Sequence, residues 1–192
     1  NSAIGMLYTG SDPANKTQIR SALNLDALDD EAVLENYKNM FDSYRGFDED
    51  VDLTVANSAW FDDELSPNET AENCLIDNFY ADIFNVDLVS NIGMIDSWVN
   101  FYTNGLIQKI SDMLRIDHMT ALVLINALSF SGSWTYQFEL EDTEPDVFTN
   151  KSGQQVTTDF MHTQGLDLKY YFSDTLSAVR LPYGREQTAM YL

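Results

Sequence analysis

An α+β fold is what the sequence predicts, and three patterns carry that prediction. Apolar residues recur at helical spacing through most of the first half, alternate with period two in short later runs, and form an unbroken stretch from Ala121 to Ile125. Helices that come early and strands that come late argue for a mostly antiparallel or mixed sheet rather than regular βαβ winding. The 192 residues are 44% hydrophobic and include 11 Phe, 10 Tyr and 3 Trp, enough large buried area to argue against disorder. That length suits one core and does not require two, so residues 1–192 read as a single domain.

The elements follow in chain order. Asn15 with Gln18 three residues on reads as a helix start of capping-box type, after which Ile19 and Leu23 share a face. Val33, Leu34, Tyr37, Met40, Phe41 and Tyr44 make one helical stripe. Val51, Leu53, Val55, Asn57, Ala59 and Phe61 alternate as a strand, which turns Asn57 inward. At Ser66-Pro67-Asn68-Glu69 a helix opens, with the serine as cap, proline in the first turn and glutamate reaching back. Phe84, Val86 and Leu88 alternate as a short strand; Ile92, Ile95, Val99 and Tyr102 then repeat helically until Asn104-Gly105 stops them.

Ala121 to Ile125 suits a strand buried on both faces. Asn126 interrupts it. An amide with up to four hydrogen bonds to satisfy should tie neighbouring strands together. Phe130, Trp134 and Phe138 recur around Gly132, which permits a bulge or a close backbone approach, so this is a corner held by aromatics. Gln155 to Phe160 and Leu168 to Phe172 are β-like runs broken by Lys151-Ser152-Gly153 and Gln164-Gly165 turns. Thr188 to Leu192 reads as a strand in progress, and a fragment is expected on that ground.

Several function classes are disfavoured. A formal net charge of -21 with only 10 Lys plus Arg opposes binding to nucleic acid and to anionic membranes. It fits a solvated acidic surface and, as a second reading, adaptation to high salt. No apolar run reaches the roughly 20 residues that a membrane helix needs. Cys74, the one cysteine, reads as a buried, inert thiol in a helix. His118 beside Asp117, and His162 near Asp159, fall in no catalytic or metal motif, so neither a catalytic residue nor a metal is assigned and no cofactor is implied. Ser131-Gly132-Ser133 lacks the frame of a nucleophile elbow.

The acidic run Asp48 to Asp52 starts like a calcium loop, but Leu53 and Ala59 occupy the places of its glycine and its bidentate glutamate, so it reads as a solvated turn. Nothing places Asp62-Asp63 in a cleft. Asn15, Asn68 and Asn150 each begin an N-glycosylation pattern, although two of them coincide with helix starts.

The order Asn126, Phe130, Gly132, Trp134, Phe138 resembles the N-A-x-x-F-x-G-x-W-x-x-x-F signature of the serpin superfamily. Trp98-Val99 with Thr103, Gly105 and Ile107 resembles that family's W-V-x-x-x-T-x-G-x-I helix, and Leu181-Pro182-Tyr183 its L-P-Y. Glu141-Asp142-Thr143, Phe148, Met161, Met6-Leu7, Gly10 and Gln18-Ile19 extend the likeness over nearly the whole chain. Asp96 stands where asparagine is usual, Asp159-Phe160 where Pro-Met is usual, and Gly5 in place of alanine.

The resemblance implies N-terminal helices packed on a large central β-sheet plus a second sheet, incomplete at both ends: a partial serpin domain without its reactive-centre loop. It also implies an inhibitor of serine or cysteine proteases rather than an enzyme. The bait loop would insert into the central sheet after cleavage, a mode the family lends to this reading. Asn126 and Trp134 would lie where that sheet opens. An extracellular, monomeric full-length protein is implied, and this chain without its bait loop is expected to trap no protease. The other reading is a non-inhibitory serpin acting as carrier or scaffold, distinguished by bulky, charged or proline hinge residues.

Overall fold

The structure, a computed structural model, describes residues 2–192. Five α-helices and eight strands follow one another as α1 Ser2–Thr9, α2 Pro13–Ala22, α3 Asp30–Ser43, β1 Val51–Phe61, α4 Glu69–Phe79, β2 Ala81–Asn85, α5 Ile92–Tyr102, β3 Leu122–Gly132, β4 Thr143–Thr149, β5 Gln155–Met161, β6 Tyr170–Phe172, β7 Ser177–Tyr183 and β8 Thr188–Tyr191 among the described residues. They form two compact units. One comprises the residues up to Phe47 with Leu53–Phe130, the other Asp48–Asp52 with Ser131–Leu192.

In the first unit the sheet order is β2-β1-β3. β1 and β2 pair in parallel, Asn57 opposite Ala81 through Phe61 opposite Asn85, with α4 as the crossover. One βαβ unit therefore sits among elements that otherwise follow no such winding. β3 runs the other way along β1. The Asp62 N–H donates to the Ala121 carbonyl at one end, while Asn126 reaches Ala56 and Asn57 further along.

Each face of this sheet has its own core. Ala59 and Ala81 pack with Met6, Val33, Phe41 and Phe79 of α1, α3 and α4. Ala56, Trp60, Ile125 and Ala127 pack with Ile95, Trp98 and Val99 of α5 on the opposite parity. β1 is consequently buried on both sides from Ala56 to Trp60. The α3 stripe behaves as its spacing predicts, with Val33, Tyr37 and Phe41 buried. Gly5 lets the Tyr37 ring lie against α1: a Cβ there would fall 2.7 Å from the ring's hydroxyl oxygen.

Several local expectations need correction. α2 begins earlier than Asn15: Asp12 is its cap, accepting from the Ala14 and Asn15 N–H groups, with Pro13 in the first turn. α4 is capped by Asn68 rather than Ser66, because its side chain, one residue before Glu69, reaches the Thr70 and Ala71 N–H groups. β2 covers Ala81–Asn85 and stops before Val86 and Leu88, since parallel pairing ends where β1 ends at Phe61. Of the run from Ala121 to Ile125, only Ile125 is fully buried, because β3 is the outer strand of its sheet.

In the second unit β4 and β5 form an antiparallel hairpin, Thr143 opposite Met161. β6, β7 and β8 form an antiparallel sheet in that order. The acidic run is no plain solvated turn. Asp48 is 5% exposed and accepts hydrogen bonds from the N–H groups of Asp50 at 3.0 Å and Arg185 at 2.7 Å. Those two donors hold its carboxyl below its ordinary pKa.

Candidate functional site

Three groups of residues are candidates for function, two in the first unit and one in the second. The first is an amide relay across the first unit's sheet. Asn126 Nδ2 donates to Asn57 Oδ1 at 2.9 Å and to the Ala56 carbonyl at 3.3 Å. Asn57 Nδ2 in turn donates to the Phe79 carbonyl at 2.7 Å, satisfying an acceptor that the end of α4 leaves open. β3, β1 and α4 are thereby joined through two side chains. Asn57 is 2% exposed and depends on this chain of donors, whereas Asn126 faces solvent on the outer strand. Alternation placed Asn57 inward, and the hydrogen-bonding needs of its amide led to the expectation that Asn126 ties neighbouring strands, as it does here.

The second group is α5 with the turn that ends it. Trp98 Nε1 and the Tyr102 hydroxyl both donate to Asp82 Oδ2 at 2.8 Å, anchoring α5 to β2. That bond, with burial second, raises the Tyr102 pKa. Thr103, 1% exposed, donates to the Val99 carbonyl at 2.8 Å and accepts from the Ile107 N–H at 3.0 Å. Asn104 and Gly105 have φ of 50° and 79°, and their N–H groups close onto the Phe101 and Asn100 carbonyls at 3.2 and 2.8 Å. This is a Schellman stop with Asn104 as its left-handed residue, and the positive φ of the residue after it favours glycine at position 105.

Asp96, the residue that departs from the family pattern, accepts from the Ile110 and Ser111 N–H groups at 2.8 Å and from the Ser111 hydroxyl at 2.6 Å. Burial works to raise its pKa, but these donors outweigh it and hold the carboxyl low.

The third group belongs to the second unit. Trp134 stacks on Tyr183 with centroids 4.3 Å apart and planes 11° apart, and meets Phe138 edge-on at 6.2 Å. The Thr135 N–H donates to the Pro182 carbonyl at 2.9 Å, so proline sits where its carbonyl is used and its missing N–H costs nothing visible in the pairing. Leu181 and Pro182 pair with Met190 and Ala189 in the β7–β8 hairpin. Phe130 and Gly132 lie half-buried at the end of β3. The aromatic corner thus centres on Trp134, Phe138 and Tyr183.

Other candidates resolve into structural roles. Cys74 is half-buried, burial raises its pKa, and its sulfur accepts from Asn78 Nδ2 at 3.6 Å. Asp117 accepts from the Met119 N–H and from the Thr120 hydroxyl. Among the described residues no three His, Cys, Asp or Glu side chains gather to hold a metal, and no helix is long and apolar enough to cross a membrane. Of the three glycosylation patterns, Asn15 Nδ2 donates to Asp12, Asn68 caps α4, and Asn150 Oδ1 holds the turn between β4 and β5 through the Ser152 and Gln154 N–H groups.

Sequence reasoning missed Asp48, Asp82 and Asp96. Each takes at least one donor from far along the chain, and only Asp82, between Ala81 and Ile83, carried the signal of an acid flanked by apolar residues.

Comparison with known proteins gives one consistent result. The family model described as Serpin (serine protease inhibitor) matches residues 1–192. Neuroserpin of Mus musculus is 27% identical over 203 residues, covering 99% of this chain and 49% of that protein. Serpin-ZX of Arabidopsis thaliana is 31% identical over 205 residues, covering 100% of this chain and 51% of that protein. The chain spans about half the length of the curated relatives it matches. The crystal structure of the thermophilic serpin tengpin in the latent state superimposes with a TM-score of 0.84 at 28% identity, covering 97% of this chain and 50% of that one.

Proposed function

Because the chain belongs to the serpin family, we propose that the protein is a protease inhibitor acting by insertion of a cleaved bait loop into the sheet that β1, β2 and β3 begin. The observation that carries this reading is the outer position of β3. An edge strand presents unpaired N–H and C=O groups that template a further strand. Asn126 supports it, since a side chain tying β3 to β1 keeps the receiving strand in register while its outer edge is engaged. α5, held to β2 through Asp82, covers one face of the same sheet. In this reading the protein is no catalyst; its partners are serine or cysteine proteases, and it acts as an extracellular monomer. Residues 1–192 form one partial domain, and Trp134 with Tyr183 is a packing element of the second unit.

The test is to incubate the full-length protein with trypsin-like, chymotrypsin-like and subtilisin-like enzymes and look for a detergent-stable covalent adduct. An adduct with at least one enzyme, accompanied by a rise in the inhibitor's melting temperature after loop cleavage, is expected. Cleavage of the loop without adduct or thermal gain would instead favour a carrier or scaffold role.

A further inference from the structure

One cavity of the first unit lies between its sheet and α5. It measures about 470 Å³, within the ~300–1,000 Å³ span of small-molecule sites, and is lined by Trp60, Asp82, Phe84, Trp98, Phe101 and Tyr102 among others. Its accessible rings are Phe84, Phe101 and Tyr102, because Trp60 and Trp98 are only 1% and 7% exposed. Trp60 and Phe84 stack with centroids 3.9 Å apart, Trp98 and Tyr102 lie at 4.6 Å and 48°, and Phe101 stands edge-on to Tyr102 at 5.1 Å and 87°. Asp82 is the acid in that wall. Its Oδ2 fixes Trp98 and Tyr102, and among the described residues no Lys or Arg forms an ion pair with it. Phe101 is 73% exposed, so its ring is spent on the rim of the cavity rather than on the core.

We propose that this aromatic groove is a binding site for a small quaternary ammonium compound of the choline type. Ring faces attract cations through their quadrupole, and a methylated ammonium sheds water readily enough to sit against those of Phe84, Phe101 and Tyr102. Asp82 supplies the counter-charge. A metal ion or a primary ammonium, compact and strongly hydrated, would find one carboxylate and the Ser97 and Tyr102 hydroxyls, both already donating within the protein, which is too few oxygens for a cage. A neutral apolar ligand would leave the carboxylate facing it uncompensated. The chain already uses the same attraction at its surface, where the Arg45 guanidinium lies 3.8 Å over the Tyr80 ring. The net charge of -21 raises the local concentration of any cation.

The experiment is calorimetric titration of the full-length protein, at fixed ionic strength, with choline and with its uncharged isostere 3,3-dimethylbutan-1-ol. Choline is expected to saturate at one site and to bind at least about fivefold more tightly than the isostere. Phe101→Ala alters no charge and removes a rim ring, so it should weaken choline about two- to fivefold, which general attraction to an acidic surface would not do. Asp82→Asn keeps an acceptor for Trp98 and Tyr102 while removing the charge. It should cost choline at least about fivefold and leave the isostere unchanged, with circular dichroism confirming the fold. A second titration with phosphatidylcholine vesicles distinguishes a free solute from a lipid head group, either of which is consistent with the site. Equal binding of choline and isostere, no saturation, or unchanged affinity in both variants would overturn the proposal.

Discussion

At the scale of single residues, buried acceptors set the consequences. Asn126→Ala would strip Asn57 Oδ1 of its donor inside the sheet, at a cost of about 1–3 kcal/mol. A lower melting temperature is expected and, under the inhibitory function proposed above, a larger fraction of substrate-like loop cleavage in the full-length protein. Unchanged melting and inhibition stoichiometry would remove Asn126 from the sheet's mechanism. Asp48 makes a similar case in the second unit. Gly184, at φ +48°, packs so close that an added Cβ would lie 2.5 Å from the Asp48 carboxylate oxygens. Gly184→Ala should therefore destabilise through both backbone strain and displacement of that carboxylate, whereas Gly93→Ala, with open space around it, should stabilise α5 slightly. Thermal melts of the two variants side by side test this.

At the scale of elements, helix ends carry the energetics. Asn68 caps α4 alone, so Asn68→Ala should cost about 1 kcal/mol while Ser66→Ala costs nothing measurable by urea unfolding. Asp96 joins α5 to the turn at Ser111–Met113 through three donors. Asp96→Ala should lose roughly 1–2 kcal/mol, and Asp96→Asn much less, because an amide oxygen still accepts from the two N–H groups. Equal losses for the two substitutions would show that charge, rather than acceptor geometry, is what the turn needs. The stripes of α3 and α5 and the stop at Asn104-Gly105 were readable in advance because each depends on neighbours within a few residues. The caps of α2 and α4 were misplaced because several oxygen-bearing residues crowd each start, and only backbone direction selects among them.

For the whole molecule, the low-pH limb of stability comes from carboxyls held below their ordinary values. Asp30, bonded first by Tyr8 and Lys16, and Asp48, Asp87 and Asp96 all fall in this class. A carboxyl with a depressed folded pKa binds fewer protons folded than unfolded. Its contribution is complete above the unfolded value of about 4 and disappears as pH falls through the folded value. Tyr8 has the opposite sign: burial and its bond to Asp30 push it up to about 12, so its contribution fades as pH rises from about 10 through that value. Melting temperature should hence be level between these limits and fall outside them. It is best measured in about 1 M salt, where repulsion among the excess carboxylates is screened. A melting temperature that keeps rising below pH 4 would contradict the assignment.

Local spacing by itself determined the helical faces and the inward turn of Asn57, because each is written within a short window of residues, whereas amide chemistry gave Asn126 its linking role and motifs spread along the chain gave the family. Only the tertiary structure decided that Asp48 meets Arg185, that Asp96 holds Ser111 and that rings from β1, β2 and α5 share one cavity with Asp82. Such contacts form only when loops close over long stretches of chain, and no periodicity encodes which distant partner arrives.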